Sequence, residues 1–264
     1  MLRTLAKQFV MRFLKVFGLE IRRVRPDAPA AMPIEDDILA PLDAPFRHAL
    51  LSMYRGEPQL GVDGQLHPIK VLIPPSEGMW LYRFCVSVKP KSTLEIGLAY
   101  GYSTLYFLAA IARNGTGHHT AVDPYQHSQW HGIGLAHANA HAPTAGPDSS
   151  FRFIEDRSSR VATDLARSNS EFDLIFIDGS HLFDDVFVDF CLYAPLCAIG
   201  GHIVFDDMWM PSVRTVAAFV RANRADFLEL PTVERNVSVF RRVGDDEREW
   251  DDFHKFAVAR RIRG

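Results

Sequence analysis

Three carboxylates follow two apolar segments of the sequence that are typical of buried β-strands. Asp178 comes directly after residues 174–177, and Asp206 and Asp207 come directly after residues 202–205. Because the carboxyl ends of parallel strands meet at one edge of a sheet, we expect these side chains to lie close together. Like charges at that distance are costly unless a cation neutralises them, and carboxylate oxygens suit Mg²⁺ or another hard divalent cation. The alternative is a set of solvated aspartates that cap helices.

A turn with two glycines follows another strand-like segment, residues 93–96. Gly97 and Gly101 are four residues apart within the sequence Glu-Ile-Gly-Leu-Ala-Tyr-Gly-Tyr-Ser of residues 95–103. Such glycines let the backbone turn tightly and approach a ligand, and the following helix offers free N–H groups to a carboxylate or phosphate. The turn could instead use glycine only for packing. The third glycine of the dinucleotide motif G-x-G-x-x-G is missing, which disfavours a nicotinamide-dependent oxidoreductase.

Polar residues also end two further strand-like segments. Asp123 could accept hydrogen bonds from both hydroxyls of a ribose, or it could cap the turn that begins at Pro124. The next strand runs into a short polar segment that could either hydrogen-bond an adenine edge or cap the next helix. This segment consists of Glu155, Asp156, Arg157 and Ser158.

Strand-like and helical segments alternate in the part of the chain that carries these residues. Five strand–helix pairs imply a parallel sheet with helices on both faces, and two final strands imply an antiparallel hairpin. We therefore predict an α/β, Rossmann-like fold with a seven-stranded, mostly parallel sheet and a charged helical tail. The predicted strands are residues 93–96, 120–122, 151–154, 174–177, 202–205, 227–230 and 237–241, and the predicted helices are residues 102–113, 132–142, 159–168, 182–195, 211–224 and 246–262.

The first 24 residues differ in composition from the rest of the chain. Apolar residues recur there at helical spacing, and residues 1–25 hold seven basic side chains and one acidic side chain, although the whole chain has a net charge of −3. We predict an amphipathic helix that packs on its own domain or on a second subunit of a homo-oligomer; the alternative is binding to an anionic membrane surface. The predicted organisation is this helical appendage over 1–24, a proline-rich linker and helical cap over 25–60, and the main domain over 61–264.

The composition excludes several classes of protein. Hydrophobic residues make up 47% and charged residues 23% of the 264 residues, as in soluble globular proteins. No apolar stretch is long enough for a membrane span, and the acidic main domain argues against nucleic acid as the main partner. Cys85, Cys191 and Cys197 lack metal-site spacing and are interpreted as core residues in a reducing compartment. The expected location is the cytoplasm, at the membrane surface if the N-terminal helix binds there.

In their order along the chain, these motifs resemble class I S-adenosylmethionine-dependent methyltransferases. More narrowly, they are similar to the metal-dependent O-methyltransferases of the catechol and caffeoyl-CoA type and to bacterial relatives that act on sugars and secondary metabolites. The likeness extends from about residue 73 to residue 243. It rests on residues 75–81, 95–103, 123, 177–181 and 205–207.

The resemblance implies a set of binding residues for S-adenosylmethionine and Mg²⁺. The methionine part of the cofactor would lie along Gly97, Gly101 and Ser103, with Glu95 and Asp178 also at the cofactor. Asp123 would bind the ribose hydroxyls, and Asp156, Arg157 and Ser158 would border the adenine. The metal would be held by Asp178, Asp206 and Asp207.

One position departs from the family pattern. His181 stands where the catechol and caffeoyl-CoA enzymes have a lysine base, three residues after the first metal aspartate. A histidine is chemically competent as the base, but His181 could also cap the following helix while a water takes the proton. The third metal position is often asparagine in relatives, so Asp207 adds a negative charge.

The activity that the resemblance implies is methyl transfer to a hydroxyl of a small molecule, either a catechol-like phenol or a sugar diol. Two alternatives remain at this point. The first is a metal-independent methyltransferase whose aspartates bind the cofactor or cap helices. The second is a non-catalytic protein that binds the cofactor or docks on a membrane.

Overall fold

The computed structural model describes residues 32, 34–35, 37–145 and 148–258. The amphipathic helix predicted for residues 1–24, with its subunit or membrane contact, lies outside the described residues. None of the described helices is both long and apolar enough to cross a membrane.

The described secondary structure follows the predicted alternation from residue 92 to the final hairpin. The helices are α1 (Ala44–Tyr54), α2 (Pro75–Val88), α3 (Tyr102–Asn114), α4 (Ile133–His141), α5 (Ser158–Arg167), α6 (Phe183–Tyr193) and α7 (Pro211–Asn223), with a short 3₁₀ turn at Ala194–Leu196. The strands are β1 (Gln59–Leu60), β2 (Leu66–His67), β3 (Ser92–Ile96), β4 (His118–Val122), β5 (Thr144–Ala145), β6 (Asp148–Ser149), β7 (Phe151–Ile154), β8 (Phe172–Ile177), β9 (Cys197–Phe205), β10 (Phe227–Leu230) and β11 (Ser238–Arg242).

Seven strands form one sheet in the order β10-β11-β9-β8-β3-β4-β7. The five strands from β9 to β7 are parallel, and β11 runs antiparallel to both of its neighbours. The chain leaves β3 toward β4 on one side and later returns to β8 on the other side, which opens a crevice beyond the carboxyl ends of these strands. The predicted seven-stranded, mostly parallel sheet with a C-terminal antiparallel hairpin is therefore confirmed.

The register of the central strands brings their carboxyl ends to one level. Ile96 of β3 pairs with Ile177 of β8, and Ile177 pairs with Phe205 of β9. The residues that follow these three positions are Gly97, Asp178 and Asp206, which therefore leave the sheet side by side.

Apolar side chains pack against both faces of the sheet. Leu174 and Phe176 of β8 belong to a core beneath α1–α4, whereas Ile175 and Ile177 belong to a second core beneath α5–α7. Successive residues of a strand face opposite sides, so a strand covered on both faces reads as a continuous apolar run.

The C-terminal segment contradicts the helix predicted for residues 246–262 over its described part, residues 246–258, which forms a turn and irregular chain. The Asp252 carboxylate accepts a hydrogen bond from the Glu249 N–H at 2.9 Å. The Asn223 side chain bonds both backbone groups of His254, at 3.0 and 2.7 Å. Side chains that bond nearby backbone groups compete with helix formation, so the high content of charged residues was not enough to predict a helix here.

Two of the three cysteines lie in the core, as predicted. Cys85 and Cys197 are buried, but Cys191 is exposed on α6. The exposed face of α6 also carries the apolar side chains of Val188 and Leu192. An apolar run in this helix therefore does not identify its buried face, and the prediction of a core position for Cys191 was wrong.

A buried carboxyl group joins α6 to α5. Asp189 is only 4% exposed, and its Oδ1 accepts a hydrogen bond from the Ser158 hydroxyl at 2.5 Å. Burial raises the pKa of Asp189 to about 6, because a charged carboxylate loses its hydration there. The pKa therefore falls when the chain unfolds, and the unfolded state releases this proton more readily than the folded state.

We expect the free energy of unfolding to fall as the pH rises from about 4 to about 6, and to regain nothing from this group at higher pH. Asp189→Asn should remove that contribution, which is at most about 3 kcal/mol for a shift of about two pKa units. Urea unfolding from pH 4 to pH 7.5 measures it. Asp184→Asn, at an exposed position of the same helix, is the control and should keep the wild-type profile. Identical profiles for Asp189→Asn and the wild type would contradict the assignment.

Candidate active site

The glycine turn lies between β3 and α3, against the chain that leaves β8. Gly97 has a φ of 104° and Gly101 a φ of 86°, in the region that favours glycine. A Cβ added at Gly97 would lie 2.1 Å from the carbonyl oxygen of Asp178. The turn and the backbone of Asp178 are therefore in direct contact, which a larger residue at position 97 would prevent.

Asp123 and Gln126 hold the middle of this turn. Asp123 Oδ2 accepts a hydrogen bond from the Ala99 N–H at 2.8 Å, and Oδ1 accepts one from the Tyr125 N–H at 2.7 Å. Gln126 Nε2 donates to the Ala99 carbonyl at 2.6 Å. Burial raises the pKa of Asp123 from its ordinary value. The turn-capping role of Asp123 is thus observed, and its predicted ribose contact stays a prediction, since a carboxylate has lone pairs for more than two donors.

Two other residues predicted to bind the cofactor are buried within the fold. Ser103 is 4% exposed and Glu95 is fully buried. The Thr104 hydroxyl donates a hydrogen bond to Glu95 Oε1, and His119 Nε2 lies 3.2 Å from the same oxygen. Glu95 therefore braces the first turn of α3 against β4, and its cofactor contact stays a prediction.

The segment predicted to border the adenine lies between β7 and α5. Asp156 Oδ1 accepts a hydrogen bond from the Arg157 N–H at 2.7 Å and lies 3.3 Å from Arg160 Nη1. The Ser158 hydroxyl is engaged with Asp189. No side chain caps the start of α5, so the helix-capping alternative is not observed, while adenine binding stays a prediction.

Acidic residues gather at the carboxyl ends of β8 and β9, and we call Glu77, Asp178, His181, Asp206 and Asp207 the acidic site. Asp178, His181 and Asp207 each offer a ligand atom within 4.8 Å of the other two. His181 Nε2 lies 2.7 Å from Asp207 Oδ2 and 3.7 Å from Asp178 Oδ1. Asp207 has a φ of 55°, in the left-handed region of the backbone. No side chain caps α6, so His181 contacts carboxylates rather than the helix start.

Two further carboxyl groups and one amide complete the surroundings. Glu77, in the first turn of α2, and Asp206 are each 3% exposed. The Asn236 side chain, from the loop between β10 and β11, donates to Glu77 Oε2 at 2.8 Å, Asp206 Oδ1 at 3.2 Å and Asp207 Oδ1 at 3.3 Å. No role was predicted from the sequence for Glu77 or Asn236. A charged residue within the apolar start of α2 was a signal for Glu77, whereas nothing local distinguished Asn236.

The acidic site carries more carboxyl groups than it has cations to balance them. Burial raises the pKa of Asp178 to about 7 and the pKa of Asp206 well above its ordinary value, and it also raises the pKa of Glu77. Contacts with Asp178 and Asp207 raise the pKa of His181 to about 10, because they stabilise the imidazolium. Burial opposes ionisation of Asp207, but His181 and the indole of Trp209 lower its pKa.

These residues fit a divalent cation. The ligand atoms of Asp178, His181 and Asp207 are close enough to converge on one ion, and carboxylate oxygens suit a hard cation. Within the described part of the chain, buried Glu77 Oε1 receives no hydrogen bond. Asp206 was also predicted as a ligand, but it is not one of the three residues whose ligand atoms converge. It is connected to them through the Asn236 amide, which donates to both Asp206 and Asp207.

Comparison with known proteins identifies the domain. Residues 94–208 match a protein family described as a methyltransferase domain. Tapetum-specific methyltransferase 1 of Arabidopsis thaliana is 28% identical over 205 residues, which cover 75% of this chain and 77% of that protein. The O-methyltransferase TomG from Streptomyces achromogenes, solved with S-adenosylmethionine, has a TM-score of 0.54 at 16% identity, covering 80% of this chain and 92% of that chain. An O-methyltransferase from Bacillus cereus, solved with S-adenosylhomocysteine, has a TM-score of 0.55 at 16% identity, covering 79% and 94%.

The matched residues contain the centre of the site. They begin within β3 and end one residue beyond Asp207, and so include the glycine turn, Asp123 and the aspartates after β8 and β9. The solved structures share the fold, and the family match covers the residues of the crevice. The resemblance found in the sequence is thereby confirmed: residues 94–208 form a methyltransferase domain, and the protein is a methyltransferase.

Proposed function

We propose that the protein transfers a methyl group from S-adenosylmethionine to a hydroxyl oxygen of a small molecule, with a divalent cation bound at the acidic site. The observation that carries this proposal is the convergence of Asp178, His181 and Asp207 within 4.8 Å, directly beside the glycine turn. Two similar solved proteins are O-methyltransferases by name, which supports oxygen as the acceptor atom.

The geometry bears on how the two substrates are held. Methyl transfer needs the oxygen nucleophile in line with the sulfonium methyl group, so the protein contributes mainly by positioning. The close contact between Gly97 and the Asp178 carbonyl fixes the position of the glycine turn relative to the acidic site. S-adenosylmethionine and the acceptor would therefore be held by two segments of the chain that are in direct contact with each other.

The acceptor hydroxyl must lose its proton. When bound, a cation supplies positive charge that lowers the pKa of the acceptor hydroxyl, and it favours acceptors with two neighbouring oxygens, such as a catechol or a sugar diol. We assign His181 Nε2 to accept the proton, in which case Asp178 and Asp207 would hold the cation and the imidazole would not be a ligand. The positive charge of a bound cation disfavours the imidazolium and would leave the imidazole neutral beforehand. Asp207, at 2.7 Å, would stabilise the imidazolium that results.

One observation favours a second candidate, a metal-independent methyltransferase. The ion pair between His181 and Asp207 already places a positive group at the acidic site. In this case Asp178 and Asp207 would orient His181, and the acceptor would be bound without a cation. Dependence of methyl transfer on a cation separates the two candidates.

Removal of divalent cations is expected to lower methyl transfer to catechol by about 10²-fold or more, since a metal ion contributes several kcal/mol to such a reaction. The measurement uses labelled S-adenosylmethionine, EDTA-treated full-length protein and add-back of Mg²⁺, which should restore the rate. S-adenosylhomocysteine binding, followed by calorimetry, is the control and should survive the EDTA treatment. Undiminished transfer after EDTA would overturn the cation and favour the second candidate. Methyl transfer only to thiols or amines would overturn the hydroxyl acceptor.

A further inference from the structure

The loop between β10 and β11 is fastened to the chain that follows β9. The backbone carbonyl of Asn236 accepts a hydrogen bond from the Met208 N–H at 2.8 Å. The side-chain oxygen of Asn236 lies 3.4 Å from the backbone nitrogen of Trp209 and can accept a hydrogen bond from its N–H. The Asn236 backbone N–H in turn donates to Glu234 Oε1 at 3.1 Å. Hydrogen bonds therefore hold the backbone and the side-chain oxygen of Asn236, and its amide nitrogen faces the acidic site.

That amide nitrogen is shared among carboxylates from three segments of the chain. Its contacts are Glu77 at the start of α2, and Asp206 and Asp207 after β9, at 2.8, 3.2 and 3.3 Å. An amide has two N–H donors for these three acceptors. Asn236 thus orients oxygens that would otherwise rotate to separate their charges.

The neutrality of the amide matters as much as its hydrogen bonds. A lysine or arginine at this position would neutralise the carboxylates itself and would compete with a divalent cation. Asparagine holds the same oxygens and leaves their negative charge in place. The two carboxylate oxygens of buried Glu77 differ in their contacts. Oε2 accepts a hydrogen bond from Asn236, whereas Oε1 receives none from the described residues.

We infer that Asn236 is a positioning residue of the acidic site, which orients the Glu77 and Asp207 carboxylates for a divalent cation. This inference rests on the proposed function. Partners that orient metal ligands commonly change metal affinity by about 10- to 100-fold when they are removed. The same size of effect is expected here, without a direct bond from Asn236 to the ion.

The first test measures Mn²⁺ affinity by calorimetry and by electron paramagnetic resonance on the full-length protein. Asn236→Ala should weaken Mn²⁺ binding by about 10-fold or more. The matched control is Asn223→Ala, which removes another bridging amide, one that bonds the backbone of His254, and it should leave Mn²⁺ affinity unchanged. Equal Mn²⁺ affinity in Asn236→Ala and the wild type would overturn the inference alone. Absence of Mn²⁺ binding by the wild type would overturn the cation of the proposed function and this inference with it.

The second test adds a charge instead of removing a donor. Asn236→Asp places another carboxylate among Glu77, Asp206 and Asp207, so its melting temperature should fall without a cation and rise more with Mn²⁺ than that of the wild type. A Mn²⁺-induced shift no larger than in the wild type would overturn the inference. Failure of both Asn236 variants to fold, even with Mn²⁺, would also overturn it, because the fold would then depend on Asn236 itself.

Discussion

Replacement of Asp178 by alanine is expected to lower the rate of methyl transfer by about 10³-fold while S-adenosylhomocysteine binding survives. The Asp178 carboxylate is one of the three groups that converge at the acidic site, and loss of one positioned charged group in an active site commonly costs that much. The contact with the glycine turn uses the Asp178 backbone carbonyl, which alanine retains. This variant should therefore lose methyl transfer but keep its affinity for S-adenosylhomocysteine.

The measurement pairs steady-state methyl transfer with calorimetric titration of S-adenosylhomocysteine. Asp173→Ala is a matched control at the amino end of the same strand, where the carboxylate accepts hydrogen bonds from the Lys91 and Ser92 N–H groups at 2.7 and 3.0 Å. Asp173→Ala should lower stability and leave the rate of the folded protein unchanged. Full turnover in Asp178→Ala would remove Asp178 from the mechanism.

Replacement of Gly97 by alanine is expected to lower the free energy of unfolding by at least about 3 kcal/mol and to abolish detectable cofactor binding. The added Cβ would lie 2.1 Å from the Asp178 carbonyl oxygen, and φ at this position is 104°. The conflicting atom belongs to the backbone, so a side-chain rotation cannot relieve it. The turn must move, and the parallel strands that meet beneath it must move with it.

The control for this variant is Gly115→Ala, at the end of α3. Gly115 has a φ of 70°, but no atom lies within 4 Å of its added Cβ. The substitution should cost about 1 kcal/mol, from backbone strain alone, and leave cofactor affinity unchanged. Urea unfolding and calorimetry measure both variants. Equal losses of stability in the two would show that steric contact at Gly97 is unimportant.

The location of the acidic site could be predicted because it depends on local features of the sequence. β8 is apolar on both faces, Asp178 follows it at once, and β9 and Asp206 repeat the pattern. Adjacent parallel strands in matching register then bring the two ends together. The alternation of strands and helices was therefore enough to place these aspartates at one edge.

The full membership of the site could not be predicted in this way. Asn236 contacts Glu77 across 159 positions of sequence, and that contact exists only because α2 and the loop after β10 meet at the same edge of the sheet. The partners of Asp123 show the same limit, since its bond to the Ala99 N–H depends on the exact path of a turn 24 residues away. The helix predicted for the charged tail was wrong for the opposite reason. Its local pattern suggested a helix, but nearby side chains offered the backbone other hydrogen bonds.

The left-handed backbone at Asp207 has a consequence for how relatives of this protein can diverge. Aspartate, asparagine and glycine are the residues that adopt such a conformation with little strain, and φ is 55° here. An exchange between aspartate and asparagine at this position changes the charge of the catalytic crevice by a full unit while the main chain stays as it is. At position 207, an exchange between aspartate and asparagine can therefore change the need for a counter-ion while the backbone is kept, whereas most other side chains would add backbone strain there.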